Sequence, residues 1–227
     1  MRDSVFYIQK KEGNPMRIIF NTFFTVIVFS ALINGQGFNV QATGEQTFNF
    51  KPEGANQASF YSTTSLEDVQ GLTKEISGTI TFNVDDFSTV HGEISFPVTS
   101  LNTGIRKMVK DLQSDSWLAA EKYPEISFKV KKAMNIKKIS DSKLEAEVIG
   151  DFFLHGVTKE DTAKATITYL DESPVTQQRM PGDLLGVQAN FSIKLSDYNI
   201  KHMLLGKRVA EKIDITVNLV GSNKVSL

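Results

Sequence analysis

From residue 45 onward, apolar and polar residues alternate with a period of two. Ile80, Phe82 and Val84 alternate with Thr79, Thr81 and Asn83. Val90, Ile94, Phe96 and Val98 share one parity, and so do Ile126, Phe128 and Val130. Leu144, Ala146, Val148, Phe152 and Leu154 oppose Lys143, Glu145, Glu147 and Asp151. Ala165, Ile167 and Tyr169 form a further set, followed by Val187, Ala189, Phe191, Ile193 and Leu195, and last by Ile213, Ile215, Val217 and Leu219. Successive side chains of a strand point to opposite faces, so each run predicts a strand with one dry face. Weaker strands are predicted at 45–51 and 57–64, for a total of eight or nine. Parallel α/β sheets read instead as continuous apolar runs, so the sheet is predicted to be antiparallel.

One segment departs from this period. Ile105, Met108, Val109 and Leu112 fall at i, i+3, i+4 and i+7, which predicts a short amphipathic helix after Asn102-Thr103-Gly104. The stretch Asp171 to Asp183, with Pro174, Pro181 and Gly182, reads as a long polar loop. No repeat or linker divides the chain. Eight strands with one helix fit a closed barrel or a two-sheet sandwich. An outer-membrane barrel would turn the apolar parity toward lipid. The opposite parity carries Lys129, Lys131, Lys143, Glu145, Glu147, Lys194 and Asp214. Such a face fits water, which leaves the apolar face to line an interior.

The first 42 residues read differently. A mostly apolar run from Ile18 to Ile33 follows Met16-Arg17 and precedes small polar residues, the order of a secretory signal. Residues 1–42 are assigned as an N-terminal extension and signal, with Met16 a candidate start, and residues 43–227 as one barrel domain. Cleavage after Val40-Gln41-Ala42 is favoured over the Gly35–Gly37 region. An uncleaved anchor is the alternative. Removing Arg2, Lys10, Lys11, Arg17, Asp3 and Glu12 moves the net charge from −1 to −3. Near balance argues against a nucleic-acid partner. The chain has no cysteine, which removes disulfides, thiolate metal sites and thiol nucleophiles together.

Little catalytic chemistry is on offer. There is no P-loop, no GxGxxG after a strand, no GxSxG and no HExxH. The doublets Asp85-Asp86, Glu160-Asp161 and Asp171-Glu172 are read as solvated turns. His91 falls on the polar parity and His202 in a loop. His155 is expected to hydrogen-bond a turn carbonyl, with a ligand headgroup at the barrel rim as the alternative. The three histidines are too scattered to predict a metal site. The apolar side chains are the candidate site: Phe60, Phe82, Phe96, Phe128, Phe152, Tyr169 and Phe191 from strands, Ile105, Met108 and Leu112 from the helix, and Trp117 after it. The pattern fits a hollow lumen and a filled dry core equally well.

Two stretches shift that balance. Gly150-Asp151-Phe152-Phe153-Leu154-His155-Gly156-Val157-Thr158-Lys159 resembles the G-D-L-T-x-H-G-V-T-K signature of the YceI-like family. Trp117-Leu118 followed by Glu121-Lys122-Tyr123-Pro124-Glu125-Ile126-Ser127-Phe128 resembles its YPxitF segment. Val98 to Gly104, Ile76-Ser77-Gly78-Thr79-Ile80 and Leu195 to Ile200 add weaker matches in the same order. The resemblance implies an all-β, eight-stranded antiparallel lipocalin-like barrel with one short helical insert. It implies an exported protein that holds a long isoprenoid chain, a quinone or a related lipid in its lumen, and no enzyme. Two departures stand out. The family's Arg-Asp-x-His-Leu helix motif is replaced by Met108-Val109-Lys110-Asp111-Leu112, and the glycine of the late turn is Asn199.

The expectations are therefore a periplasmic or secreted barrel that sequesters or carries a long-chain apolar lipid, with no cofactor beyond such a lipid and no metal. The membrane enters only as the source of ligand, and the barrel acts as a monomer or homodimer. The alternative is an exported β-domain that binds no ligand and works through its surface.

Overall fold

The structure, a computed structural model, describes residues 36–52 and 56–224. The expected signal segment, with Met16 and the run 18–33, lies outside the described residues. Ten strand segments appear: β1 (Glu45–Phe50), β2 (Gln57–Thr63), β3 (Asp68–Thr73), β4 (Ser77–Asn83), β5 (Asp86–Pro97), β6 (Glu125–Ser140), β7 (Lys143–Leu154), β8 (Val157–Leu170), β9 (Leu184–Lys194) and β10 (Lys212–Ser222). Among the described residues there are two α-helices, α1 (Arg106–Gln113) and α2 (Pro174–Gln177).

The ten segments form eight barrel strands, because the first two strands are each broken once. β1 pairs with β4 from Glu45↔Asn83 to Phe50↔Gly78, and β2 pairs with β3 from Ala58↔Thr73 to Thr63↔Asp68. The antiparallel ladder then runs through β5, β6, β7, β8, β9 and β10 in chain order. β10 closes the ring. One side pairs with β9 along its whole length, and the other pairs with β2 and, at Ser222↔Asn49, with β1. At the break between β1 and β2 a side chain takes the place of backbone. The buried Asn56 amide donates to the carbonyls of Lys51 and Val220, at 2.9 and 3.3 Å, and accepts from the Val220 N–H at 2.7 Å. Buried backbone groups need partners, and here a side-chain amide supplies them.

The apolar parity faces inward. Ile80, Phe82, Val90, Val130, Leu144, Ile167 and Leu219 are buried, while Lys129, Lys131, Lys143, Lys194 and Asp214 are exposed on the outer face. Lys131 bridges Asp151 at 2.6 Å and Glu160 at 3.2 Å across neighbouring strands, which pins the outer face of β6, β7 and β8 together. No helix among the described residues is long and apolar enough to cross a membrane.

Three expectations are corrected. Residues 36–42 are part of the fold: Phe38 is 5% exposed, its N–H donates to the Val84 carbonyl at 2.8 Å, and Val40 and Ala42 pack against the core. They form no strand, so period two gave no sign of them. Glu160 and Asp161 lie within β8, and neither occupies a turn. The polar loop 171–183 contains α2, started by Ser173. The Ser173 hydroxyl accepts from the Thr176 N–H and the Thr176 hydroxyl accepts from the Ser173 N–H, a reciprocal cap with Pro174 in the first turn.

A blind apolar cavity in the barrel lumen

The interior is filled at one end of the barrel and hollow toward the other. The cause is side-chain size at successive levels of the ladder. At the filled end lie Phe38, Phe48, Phe82, Phe87 and Tyr169, each 5% exposed or less. Their rings pack in a continuous cluster: Phe48 stacks on Phe82 with centroids 5.7 Å apart, Phe87 meets Phe82 edge-on at 5.0 Å, and Tyr169 meets Phe48 edge-on at 5.4 Å. Phe38 closes the group against Tyr169 at 5.6 Å. The Tyr169 hydroxyl donates to the Asp183 carboxylate at 2.7 Å, so its polar atom is satisfied where the ring is dry. Burial and the neighbouring Asp183 push the Tyr169 hydroxyl well above the usual tyrosine range, so it stays protonated.

In the middle of the barrel the inward side chains are small. Ladder pairs place Ala146 beside Ala165, Ala165 beside Ala189, Ala189 beside Val217 and Val217 beside Ala58. Five consecutive strands thus present alanine or valine at one level, and side chains of that size cannot meet across an eight-stranded lumen. A cavity of about 480 Å³ results. Its inner part is bounded by Ala58, Ile76, Ile80, Val130, Ala165 and Leu219, which also belong to the core cluster around the aromatic rings. Closer to the opening its wall is aromatic: Phe60, Phe96, Phe128, Phe152 and Phe191. Gly71 faces Phe60 across the ladder, and a side chain there would meet the ring at 2.3 Å. Phe60, Phe96, Phe128 and Phe191 point inward yet are only partly buried, because their inner surfaces border space.

The opening lies at the end formed by the β2–β3 turn, the segment between β5 and β6 and the segment between β9 and β10. Ile105, Met108, Leu112 and Trp117 border it from the α1 side, and Leu204 and Val209 from the other. The Trp117 indole stacks on the His202 ring at 4.4 Å, which joins the two segments. The charged side chains at the opening pair off. Arg208 bridges Glu67 at 2.6 Å, and Lys107 bridges Asp111 one helical turn along at 3.1 Å. The Arg208 hydrogen bond holds the Glu67 carboxyl below the usual range.

Nine of the eleven residues picked from the sequence therefore border the cavity: Phe60, Phe96, Ile105, Met108, Leu112, Trp117, Phe128, Phe152 and Phe191. Phe82 and Tyr169 do not. They sit in the aromatic cluster, where Phe38 and Phe87 cover them, and they fill the lumen instead of lining open space. The small residues Ala58, Ala163, Ala165 and Ala189 also border the cavity and were missed. Their signal was present: they share the parity of the large residues, and a run of small residues at one parity marks where a lumen stays open.

The histidines stand apart from the cavity wall. The His155 Nδ1 donates to the Tyr198 carbonyl at 2.9 Å, and its ring meets Tyr123 edge-on at 5.0 Å. His155 adopts φ +51°, and Gly156 beside it, at φ +76°, lies where a side chain would meet the Tyr123 ring at 2.4 Å. His91 is exposed on the outer face. Asn199 adopts φ 60°, the left-handed conformation its place in the turn implied. Among the described residues there is no group of three His, Asp or Glu side chains placed to hold a metal ion.

The family model for the YceI-like domain matches residues 38–221. The chain is 29% identical over 151 residues to Protein YceI of Escherichia coli O157:H7, covering 66% of this chain and 72% of that one. Among solved structures, the Campylobacter jejuni YceI protein superposes with a TM-score of 0.57 at 21% identity, covering 72% of this chain and 90% of that one. Burkholderia cenocepacia BcnA superposes with a TM-score of 0.57 at 18% identity, over 73% and 95%. A polyisoprenoid binding domain from Saccharophagus degradans, implicated in plant cell wall breakdown, gives a TM-score of 0.57 at 14% identity, over 80% and 99%. At these identities the solved structures speak for the fold.

Proposed function

This chain belongs to the YceI-like family, and from that premise we propose that its barrel is a binding protein, with no catalytic role, for a single long-chain apolar lipid of isoprenoid type. The observation that carries the reading is the cavity of about 480 Å³ inside the barrel, walled by alanine, valine, leucine, isoleucine and phenylalanine. A space of this size falls in the range that small-molecule sites occupy. Burial of apolar surface drives entry, at roughly 25 cal/mol per Å² before the costs of ordering the chain. The polar end of the lipid stays at the opening, where the side chains of Ser62, Glu67, Thr103, Lys107, Asp111 and Arg208 border the cavity. A protein acting only through its surface needs no such space. The apolar run 18–33 further supports export, with action in the periplasm or outside the cell and the membrane as the source of the lipid.

The test is organic extraction of protein purified from its native compartment, followed by mass spectrometry. An isoprenoid or similar long-chain lipid at about one molecule per chain is expected. Protein that emerges lipid-free and then takes up no prenyl alcohol or quinone defeats the reading.

A further inference from the structure

We infer that the aromatic cluster at the filled end is a ruler for ligand length, and that it restricts the lumen to a chain of about four isoprene units. The inference rests on the lumen-binding reading above and adds a limit to it. Three observations carry it.

The first is that the cavity is blind. Ile80 borders it, and Phe82, two residues further along β4, is 0% exposed beneath Phe38, Phe48 and Phe87. On β9 and β10, Val187 and Leu219 border the cavity, and Leu185, the next inward residue of β9, is 0% exposed. The open lumen thus ends within one inward residue on β4 and on β9. The second observation is volume. Benzene in a dry cavity of about 150 Å³ corresponds to about 25 Å³ per carbon. At that density about 480 Å³ holds about 19 carbons, close to four five-carbon units. The third is that the floor is held in place from outside the barrel wall. Phe38 reaches the cluster from a segment that precedes β1, tied by the bond from its N–H to the Val84 carbonyl. Tyr169 is tied through its hydroxyl to Asp183 in the segment before β9. Ring contacts between Phe38 and Tyr169 at 5.6 Å join the two ties. With its hydroxyl kept at the opening, a longer chain can enter only by displacing packed rings.

The test uses the purified, delipidated protein and all-trans prenyl alcohols of three, four, six and nine isoprene units. Displacement of 1-anilinonaphthalene-8-sulfonate from the lumen reads their affinity. The four-unit alcohol is expected to bind at least tenfold more tightly than the nine-unit alcohol. Phe38→Ala, which removes part of the floor, moves the optimum to a longer alcohol. Ala189→Phe, which fills the hollow level, weakens the four-unit alcohol at least tenfold, with the fold checked by circular dichroism. The wild-type series decides the matter without the variants: equal affinity for four and nine units overturns the ruler while leaving lumen binding intact. Failure of every alcohol to displace the probe overturns lumen binding itself.

Discussion

Asp161 shows how a single side chain on the barrel wall couples to pH. Its carboxylate accepts from the Tyr198 hydroxyl at 3.0 Å and has Asp197 and Lys159 nearby. Burial raises its pKa above the usual 3.8, Asp197 adds to the rise, and the Tyr198 hydrogen bond and Lys159 oppose it without winning. A carboxyl with a raised folded-state pKa favours folding when protonated. Its contribution is fully present below the unfolded pKa and is lost as pH rises through the folded one. Asp161→Asn keeps an acceptor for Tyr198 and removes the charge. Relative to the native protein, the variant is expected to be at least as stable at pH 7, and its advantage to vanish below pH 4. Urea unfolding at both values checks this, and a variant clearly weaker at pH 7 contradicts it. Asp161 also shows where sequence reading stops at this scale. A doublet with Glu160 looks like a turn, and only the β8 ladder reveals that it belongs to a strand. Phe82 and Tyr169 make the same point for the site. Their parity showed that they face inward, but parity says nothing of height along the barrel axis. Height decides whether an inward ring lines space or fills it.

At the scale of elements, the segment 36–42 has no regular structure and yet completes the core. It contributes Phe38 to the aromatic cluster, and its backbone bonds reach Val84, Phe87 and Asp141. Losing a buried phenylalanine costs about 3–5 kcal/mol. A chain that starts at Thr43 is therefore expected to unfold at clearly lower urea than one that starts at Gln36, by about that amount. The same physics bears on export. Cleavage after Ala42 discards Phe38, whereas cleavage in the Gly35–Gly37 region keeps it. Under the proposed export, N-terminal sequencing of the mature protein is expected to find Phe38 retained, and a mature chain beginning at Thr43 refutes this. The strands were legible because one face of each is dry, and the α1 insert because its apolar spacing changed. The segment 36–42 was not, because a strap held by one ring and a few backbone bonds has no period. The break between β1 and β2 was legible as separate strands at 45–51 and 57–64, but β3 was not, because its buried positions are Gly71 and Thr73 and no large apolar side chain marks its dry face.

The strands from β1 to β10 form one closed wall around a space, so the stability of the barrel is expected to respond to what the space holds. A ligand that binds only the folded chain stabilises it by about 2.7 kcal/mol when present at 100 times its Kd. Geranylgeraniol at such a concentration is expected to raise the urea midpoint of the delipidated protein, and the rise should disappear in Ala189→Phe; an unchanged midpoint in the wild type speaks against occupancy of the lumen. The closed ring has a further consequence, one of time. Asn56 exchanges hydrogen bonds with Val220, 164 residues further along the chain, and β2 pairs with β10. Every neighbouring pair between β4 and β10 is local, but the seam joins the two extremes of the sequence. Such contacts are slow to form, because a long loop must close before they contribute. Until β10 has left the ribosome, β2 and β9 keep unpaired edges, the kind of edge that invites pairing with other chains. The barrel is thus a fold that cannot finish while it is being made. Closure of the seam therefore falls after synthesis, while the sequential ladders from β4 to β9 need no such wait.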